Sequence, residues 1–332
     1  MSATVGGDLQ RGLEAYLAHE VGQPVVVSDL ARVSSVGNAR EPWTFTARWA
    51  DEIVRCVMLI KAEAGQLETT LAPEFHAIAC LEGSGVPVPR ALWLDESGHW
   101  VGQPFFVTEW VPGSADTRVL RDPRNDPAVR AVALDLAGAA ARLHAVPVAP
   151  FEAHLASTTV VEAAATQLRT WHEMFLAQRM EPHPALVYAI SWLLDRLPTA
   201  RRVSVVHGDL RFGNLLYEGT RVTALLDWEM VHLGDPVEDL GWVYRKLWSP
   251  ARALPFQAFL DAYADASGEA VDPEHLQWYC VFSEVKHSVI SLTAARSFAD
   301  GRTTSLRHAD RAATVPAFVH RLLELVGGVP GC

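Results

Sequence analysis

Val205 to Glu229 reads VVHGDLRFGNLLYEGTRVTALLDWE, and the order of apolar and polar residues in this stretch decides how the chain is read. Strand-sized apolar runs at Val203 to Val206, Leu215 to Tyr217 and Val222 to Leu226 alternate with polar loops, and a turn at Glu218 to Thr220 folds the second run onto the third. His207, Asp209 and Asn214 fall in the loop between the first two runs, and Asp227 follows the third directly. Taken singly, each has a structural explanation: a tight turn at His207-Gly208-Asp209, an Asn satisfying its own loop, an Asp capping the next segment. Taken together, polar groups at this spacing between apolar strands are not what packing alone would select.

Outward from this island the chain changes character once. Asp8 to His19 has helical spacing, and Val25 to Val27 reads as a strand after Gly22 and Pro24. Thr44 to Trp49 and Arg55 to Lys61 form a hairpin across Asp51-Glu52, Glu74 to Leu81 is a helix ended by Gly83-Ser84-Gly85, and Ala91 to Leu94 and Phe105 to Trp110 are further strands. From Pro112-Gly113 the pattern turns to Ala- and Leu-rich helices: Val129 to His144, Val161 to Phe175 and Pro184 to Leu197. After Asp235-Pro236 the chain reads as helical to its end, broken around Gly327 to Gly331. The expectation is an α+β protein with a β-rich region 1–112 and a mainly helical region 113–332.

Composition narrows the function classes. A net charge of -11 argues against an extended nucleic-acid partner, which would need clustered Lys and Arg. Cys56, Cys80, Cys280 and Cys332 are scattered without a CxxC pair, which argues against a zinc or disulfide scaffold. No run of 18 apolar residues and no basic start with an apolar core is present, so no membrane association and a cytoplasmic location are expected. Among the eleven tryptophans, Trp171, Trp192 and Trp278 lie on helices able to line an acceptor site, although large aromatics serve cores first.

Phosphoryl transfer needs a carboxylate near the acceptor hydroxyl and oxygen ligands that hold Mg²⁺ against the nucleotide phosphates. Asp209 suits the first task, and Asn214, five residues on, and Asp227 suit the second. The sequence HGDLRFGN with LLDWE, followed by Gly234-Asp235-Pro236 and Asp239-Leu240, resembles the aminoglycoside phosphotransferase and choline kinase superfamily. Gly37 to Glu41 with Trp43 and Phe45, then Glu74, Gly85 to Pro89 and Pro104 to Phe106, resemble the branch related to the kinase-like domains of acyl-CoA dehydrogenase family proteins.

The resemblance implies a protein-kinase-like two-lobed fold, with a small β-rich N-lobe and a larger helical C-lobe. It assigns Asp209 as the catalytic base, Asn214 and Asp227 as Mg²⁺ ligands, His207 as an ordering group and Asp239 as a brace for the loop. Gly37 would belong to the nucleotide-covering loop, and Glu109 and Val111 to the hinge strand whose main chain meets the adenine. The phosphate-contacting cation would be Lys61, held by an ion pair to Glu74, with Ile60 at the same place in the other alignment. The implied activity is Mg²⁺-dependent transfer of the γ-phosphate of ATP, or of GTP, to the hydroxyl of a small molecule, either a metabolite such as a hydroxyacyl compound or an antibiotic. Three alternatives stay open: a degenerate nucleotide-binding module, an aminoglycoside or macrolide resistance kinase, and a metal-dependent hydrolase using His207, Asp209 and Asp227. The oligomeric state is open as well.

Overall fold

Helix α1 (Ser2–Val21) carries Leu13, Tyr16 and Leu17 on one face, the three- and four-residue spacing of an amphipathic helix, and buries them with Val25 and Val27 at the start of β1 (Val26–Arg32). The structure is a computed structural model and describes residues 2–33, 40–61, 70–245 and 248–327. Next come β2 (Arg40–Trp49), β3 (Glu52–Lys61), α2 (Ala72–Leu81), β4 (Ala91–Asp95) and β5 (Phe105–Glu109), and the strands form one sheet in the order β1-β2-β3-β5-β4. All its pairings are antiparallel.

Because side chains alternate along a strand, the register decides what each face of this sheet carries. Phe45 of β2 and Cys56, Met58 and Ile60 of β3 join the core built with α1. Arg40 lies directly opposite Lys61, and Phe45 opposite Cys56, an odd number of residues away. Arg40 and Lys61 therefore share the other face, where Phe106 meets Phe75 of α2 edge-on at 6.0 Å.

Beyond Val111 the chain is built around helices: α3 (Asp126–His144), α4 (Ala163–Gln178) and α5 (Pro184–Leu194) come first. Four short strands follow, β6 (Ser204–Val206), β7 (Leu215–Glu218), β8 (Arg221–Leu225) and β9 (His232–Gly234), paired as β6-β9 and β7-β8. Four more helices complete it: α6 (Val237–Val243), α7 (Phe256–Ser267), α8 (Pro273–Ala299) and α9 (Leu306–Val326). By internal contacts the chain divides into two compact units, residues 1–82 with 89–111, and residues 83–88 with 112–332. Residues 83–88 join the second through Leu225 N, which donates to Pro87 O at 2.7 Å, and Arg142 Nε, which donates to Gly85 O at 2.9 Å.

Helix α8 starts where Asp272 caps the His275 amide at 2.9 Å ahead of Pro273, and it is buried almost all round from Trp278 to Ala295. Along with apolar residues it buries Ser283, Glu284, Lys286 and His287, a polar load that packing alone would not select. Strand β9 is not expected from the sequence; at three residues it is too short to show an alternation. Cys56 and Cys80 are free thiols and Cys280 is disulfide-bonded. Among the described residues no helix is long and apolar enough to cross a membrane.

Candidate active site

Strand β6 runs straight into His207-Gly208-Asp209, and the backbone there needs glycine: Gly208 has φ 78°, and a Cβ would collide with the carbonyl of Met230. The amides of His207 and Gly208 donate to the two carboxylate oxygens of Asp239 on α6, each at 2.9 Å. Asp239 also meets His144 Nε2 at 3.0 Å, and His144 Nδ1 lies 2.9 Å from the Tyr263 hydroxyl. Burial alone would raise the Asp239 pKa, but the hydrogen bond and charge of His144, with help from His207, hold it below the usual carboxylate value. From the other side Lys286 Nζ donates to Gly208 O at 2.6 Å and to Glu238 at 2.9 Å. The loop is thus clamped by an anion on its amides and a cation on its carbonyl.

His207 is a strut rather than a base. Its Nε2 lies 3.1 Å from Leu226 O, and its Nδ1 accepts from the Asp209 amide at 3.2 Å. The neutral ring protonated on Nε2 satisfies both, and burial pushes its pKa below the ordinary histidine value. With both nitrogens engaged, His207 is not available as a metal ligand.

Asp209 lies at the centre of the loop, its side chain only 9% exposed. Trp242 Nε1 donates to Oδ1 at 2.6 Å, Asn214 Nδ2 donates to Oδ2 at 2.6 Å, and Arg211 Nε lies 3.0 and 3.1 Å from the two oxygens. Asn214 Nδ2 also donates to the Asp209 carbonyl at 3.1 Å, so its Oδ1, a hard oxygen donor, is the atom left for a cation. Leu226 joins this group to Asp227: its amide donates to Asn214 O at 2.8 Å and its carbonyl meets His207. Asp227 itself takes φ 68°, a left-handed conformation that Asp tolerates and that surrounding structure must hold. Asp209 and Asn214 are thus bonded to each other, and Asp227 is placed next to them through its neighbour Leu226.

A site needing three protein metal ligands finds none here: among the described residues no group of three His, Cys, Asp or Glu side chains could hold a metal ion. Mg²⁺ asks for less, one or two oxygen side chains plus phosphate and water, and Asn214 Oδ1 with Asp227 fits that pattern.

The remaining expected residues lie in the first unit. Lys61 ends β3, while Ile60 points into the α1 core, so of the two alignments only Lys61 shares a face with Glu74. The expected Lys61–Glu74 ion pair is corrected: Glu74 pairs with Arg40, whose Nη2 and Nε lie 2.9 and 3.1 Å from Oε2. The register explains it, because Arg40 lies opposite Lys61 on the same face, and its two-pronged guanidinium takes the buried carboxylate. Glu109 ends β5 with its carboxylate 3.1 Å from Arg90, and the Val111 amide makes no hydrogen bond with another described residue. Gly37 lies outside the described residues.

Sequence reading missed Arg211, Trp242 and Lys286. Arg211 could have been found from its place between Asp209 and Asn214, and Trp242 from its spacing of three after Asp239 on the same helix. Lys286, 78 residues from Gly208, left no local signal. Of the expected aromatic positions, Trp278 is buried with Nε1 on Leu193 O at 3.0 Å, Trp192 lies under Arg196, 4.8 Å from ring centroid to Cζ, and Trp171 lies under Lys286, 5.4 Å from ring centroid to Nζ.

Three comparisons place these observations. Acyl-CoA dehydrogenase family member 10 of Mus musculus is 30% identical over 72% of this chain, and the match spans 22% of that longer protein. Streptomycin 3''-kinase of Streptomyces griseus is 32% identical over 71% of this chain and 85% of its own length. The crystal structure of a thermostable mutant of aminoglycoside phosphotransferase APH(4)-Ia, in a ternary complex with ADP and hygromycin B, superposes with TM-score 0.65 over 96% of this chain and 99% of that one at 16% identity. The expected fold class, a small antiparallel sheet followed by a helical C-terminal part on a kinase-like plan, is borne out. With the model for the phosphotransferase enzyme family matching residues 39–279, over β2 to β5, the clamped loop and Asp227 alike, the chain belongs to that family.

Proposed function

We propose that this chain is a Mg²⁺-dependent kinase that transfers the γ-phosphate of ATP, or of GTP, to a hydroxyl of a small molecule. The observation that carries the reading is the Asp209–Asn214 pair on a loop held from both sides, with Asp227 brought up to it through Leu226. Streptomycin 3''-kinase among the relatives, and a fold neighbour bound to ADP and an antibiotic, support a nucleotide and a small acceptor.

Asp209 accepts the proton of the acceptor hydroxyl as the acceptor oxygen bonds to the γ-phosphorus and the bond to the β-γ bridging oxygen breaks, releasing ADP. Trp242 and Asn214 fix the plane of its carboxylate, so little reorganisation is needed when the proton moves. Asn214 Oδ1 and Asp227 would hold the metal, which neutralises phosphate charge when bound. In the first unit Lys61 and the Val111 amide would serve the phosphates and the base, with the Arg40–Glu74 pair fixing the sheet to α2.

The test is ADP release from Mg²⁺-ATP with a panel of hydroxyl compounds, and with water as the default acceptor, for the native chain and Asp209→Asn. A loss of about 10²- to 10⁴-fold with an unchanged melting profile is expected. Undiminished turnover in the variant would remove Asp209 from the mechanism.

A further inference from the structure

Positive charge gathers beside Asp209 beyond what that carboxylate balances. Arg211 rests on Asp209 and lies with its Cζ 4.2 Å over the ring of Trp248. Arg245, 5% exposed, follows α6 and is spent on the fold: Nη1 donates to Ser283 O at 2.6 Å and Nη2 to Glu284 at 2.9 Å, leaving a buried Nε without a partner. Arg311, on α9, is half-buried, and its side chain makes no hydrogen bond or ion pair with a described residue. Burial together with Arg211 pulls its pKa down, against the raising effect of neighbouring Asp310 and of Asp209.

A wall of rings joins these cations. Arg311 and Phe318 are seven residues apart on α9 and so share its face. Phe318 stacks on His287 of α8 at 4.2 Å and 23°, and His287 stacks on Trp248 at 5.6 Å and 25°. His287 is 2% exposed, its Nδ1 has no partner, and burial with Arg245, Arg311 and Arg211 keeps it neutral. Arg211 and Arg311, at the two ends of this stack and each partly out of water, repel unless an anion joins them. A polycationic acceptor such as an aminoglycoside would add to the repulsion.

We propose that the acceptor is an anionic hydroxyl compound, with its carboxylate or phosphate held by Arg311 and Arg211 and its body lying against Trp248 and Phe318, the outer rings of the stack. The proposal rests on the kinase reading above and names its substrate class. It also gives Arg211 a task. In the absence of acceptor, the single Arg211 Nε–H is shared between both oxygens of Asp209, and with one N–H each from Trp242 and Asn214 it covers the carboxylate. An acceptor anion draws the guanidinium away and frees a lone pair for the hydroxyl proton, so the base is uncovered only when the right charge arrives.

The test is thermal unfolding of the native chain and Arg311→Gln, with inorganic phosphate, benzoate or streptomycin added at ionic strength matched with chloride. Each is measured without nucleotide and again with Mg²⁺ and the non-hydrolysable analogue AMP-PNP. Phosphate or benzoate should stabilise the native chain in both conditions, streptomycin should not, and Arg311→Gln should weaken the anion's affinity at least tenfold while melting no lower than the native chain when anion is absent. A shift with phosphate alone assigns a phosphorylated acceptor, and one with benzoate alone a carboxylate. No anion shift in the native chain, or an equal shift in Arg311→Gln, would overturn the proposal. Stabilisation by Mg²⁺-AMP-PNP with no anion effect would reject only the anionic acceptor, whereas loss of the AMP-PNP effect itself would count against the kinase reading.

Discussion

Arg40 and Lys61 face each other across β2 and β3, yet only Arg40 pairs with buried Glu74, so the two cations should behave differently when removed. Arg40→Met leaves a 2% exposed carboxylate without that partner and should cost about 3–5 kcal/mol in chemical denaturation, whereas Lys61→Met should stay within about 0.5 kcal/mol. Equal costs would mean that the pair is not what fixes α2 to the sheet. His207, Asp209, Asn214 and Asp227 were legible because they lie close in sequence and at strand ends, where polar residues are hard to explain by packing. The Arg40–Glu74 pair was not, since it depends on which residue of β2 lies opposite Lys61, and that register is a tertiary fact.

Among the elements, α8 governs the loop from beneath. Lys286→Met removes the donor to Gly208 O and leaves Glu238, whose pKa Lys286 and His232 hold down against burial, with His232 as its remaining counter-charge. About 3–5 kcal/mol of destabilisation is expected, together with a fall in kcat larger than any change in KM for ATP, because the side chain supports the loop rather than touching the reactants. A variant as active as the native chain would show that the clamp does not position Asp209. That the chain after Asp235-Pro236 is helical was readable from its sequence, but the burial of α8 was not: Ser283, Glu284, Lys286 and His287 look like a solvent face until Gly208, Arg245 and Trp248 are seen to meet them. Strand β9 escaped for a different reason, being too short for any period to show.

For the molecule as a whole, buried ionisable groups set the pH response. His207 and His287 are both held neutral, so the stability they confer is present above the unfolded-state pKa of about 6.5 and is lost as pH falls below it, by up to about 1.4 kcal/mol per histidine per pH unit. Asp239 and Glu238, whose pKa values are depressed, add a further loss below about pH 4. His232 works the other way: burial opposes it, but Glu238 raises its pKa, so its contribution is lost as pH rises. His308, lowered by burial, sides with the first two, and Glu284, raised by burial, sides with His232; three against two, the melting temperature should fall from pH 7.5 to pH 5.5, and His287→Phe should flatten that slope. A melting temperature that rises on acidification would contradict the assignment of neutral histidines. The measurement that bears most directly on the kinase reading is thermal stabilisation by ATP and by GTP, with and without Mg²⁺, for the native chain beside Asp227→Ala. At roughly a hundred times the dissociation constant a nucleotide should add about 2.7 kcal/mol to the native state only when Mg²⁺ is present, and Asp227→Ala should abolish the increment. Stabilisation by neither nucleotide, or a Mg²⁺-dependent shift undiminished in Asp227→Ala, would contradict the reading.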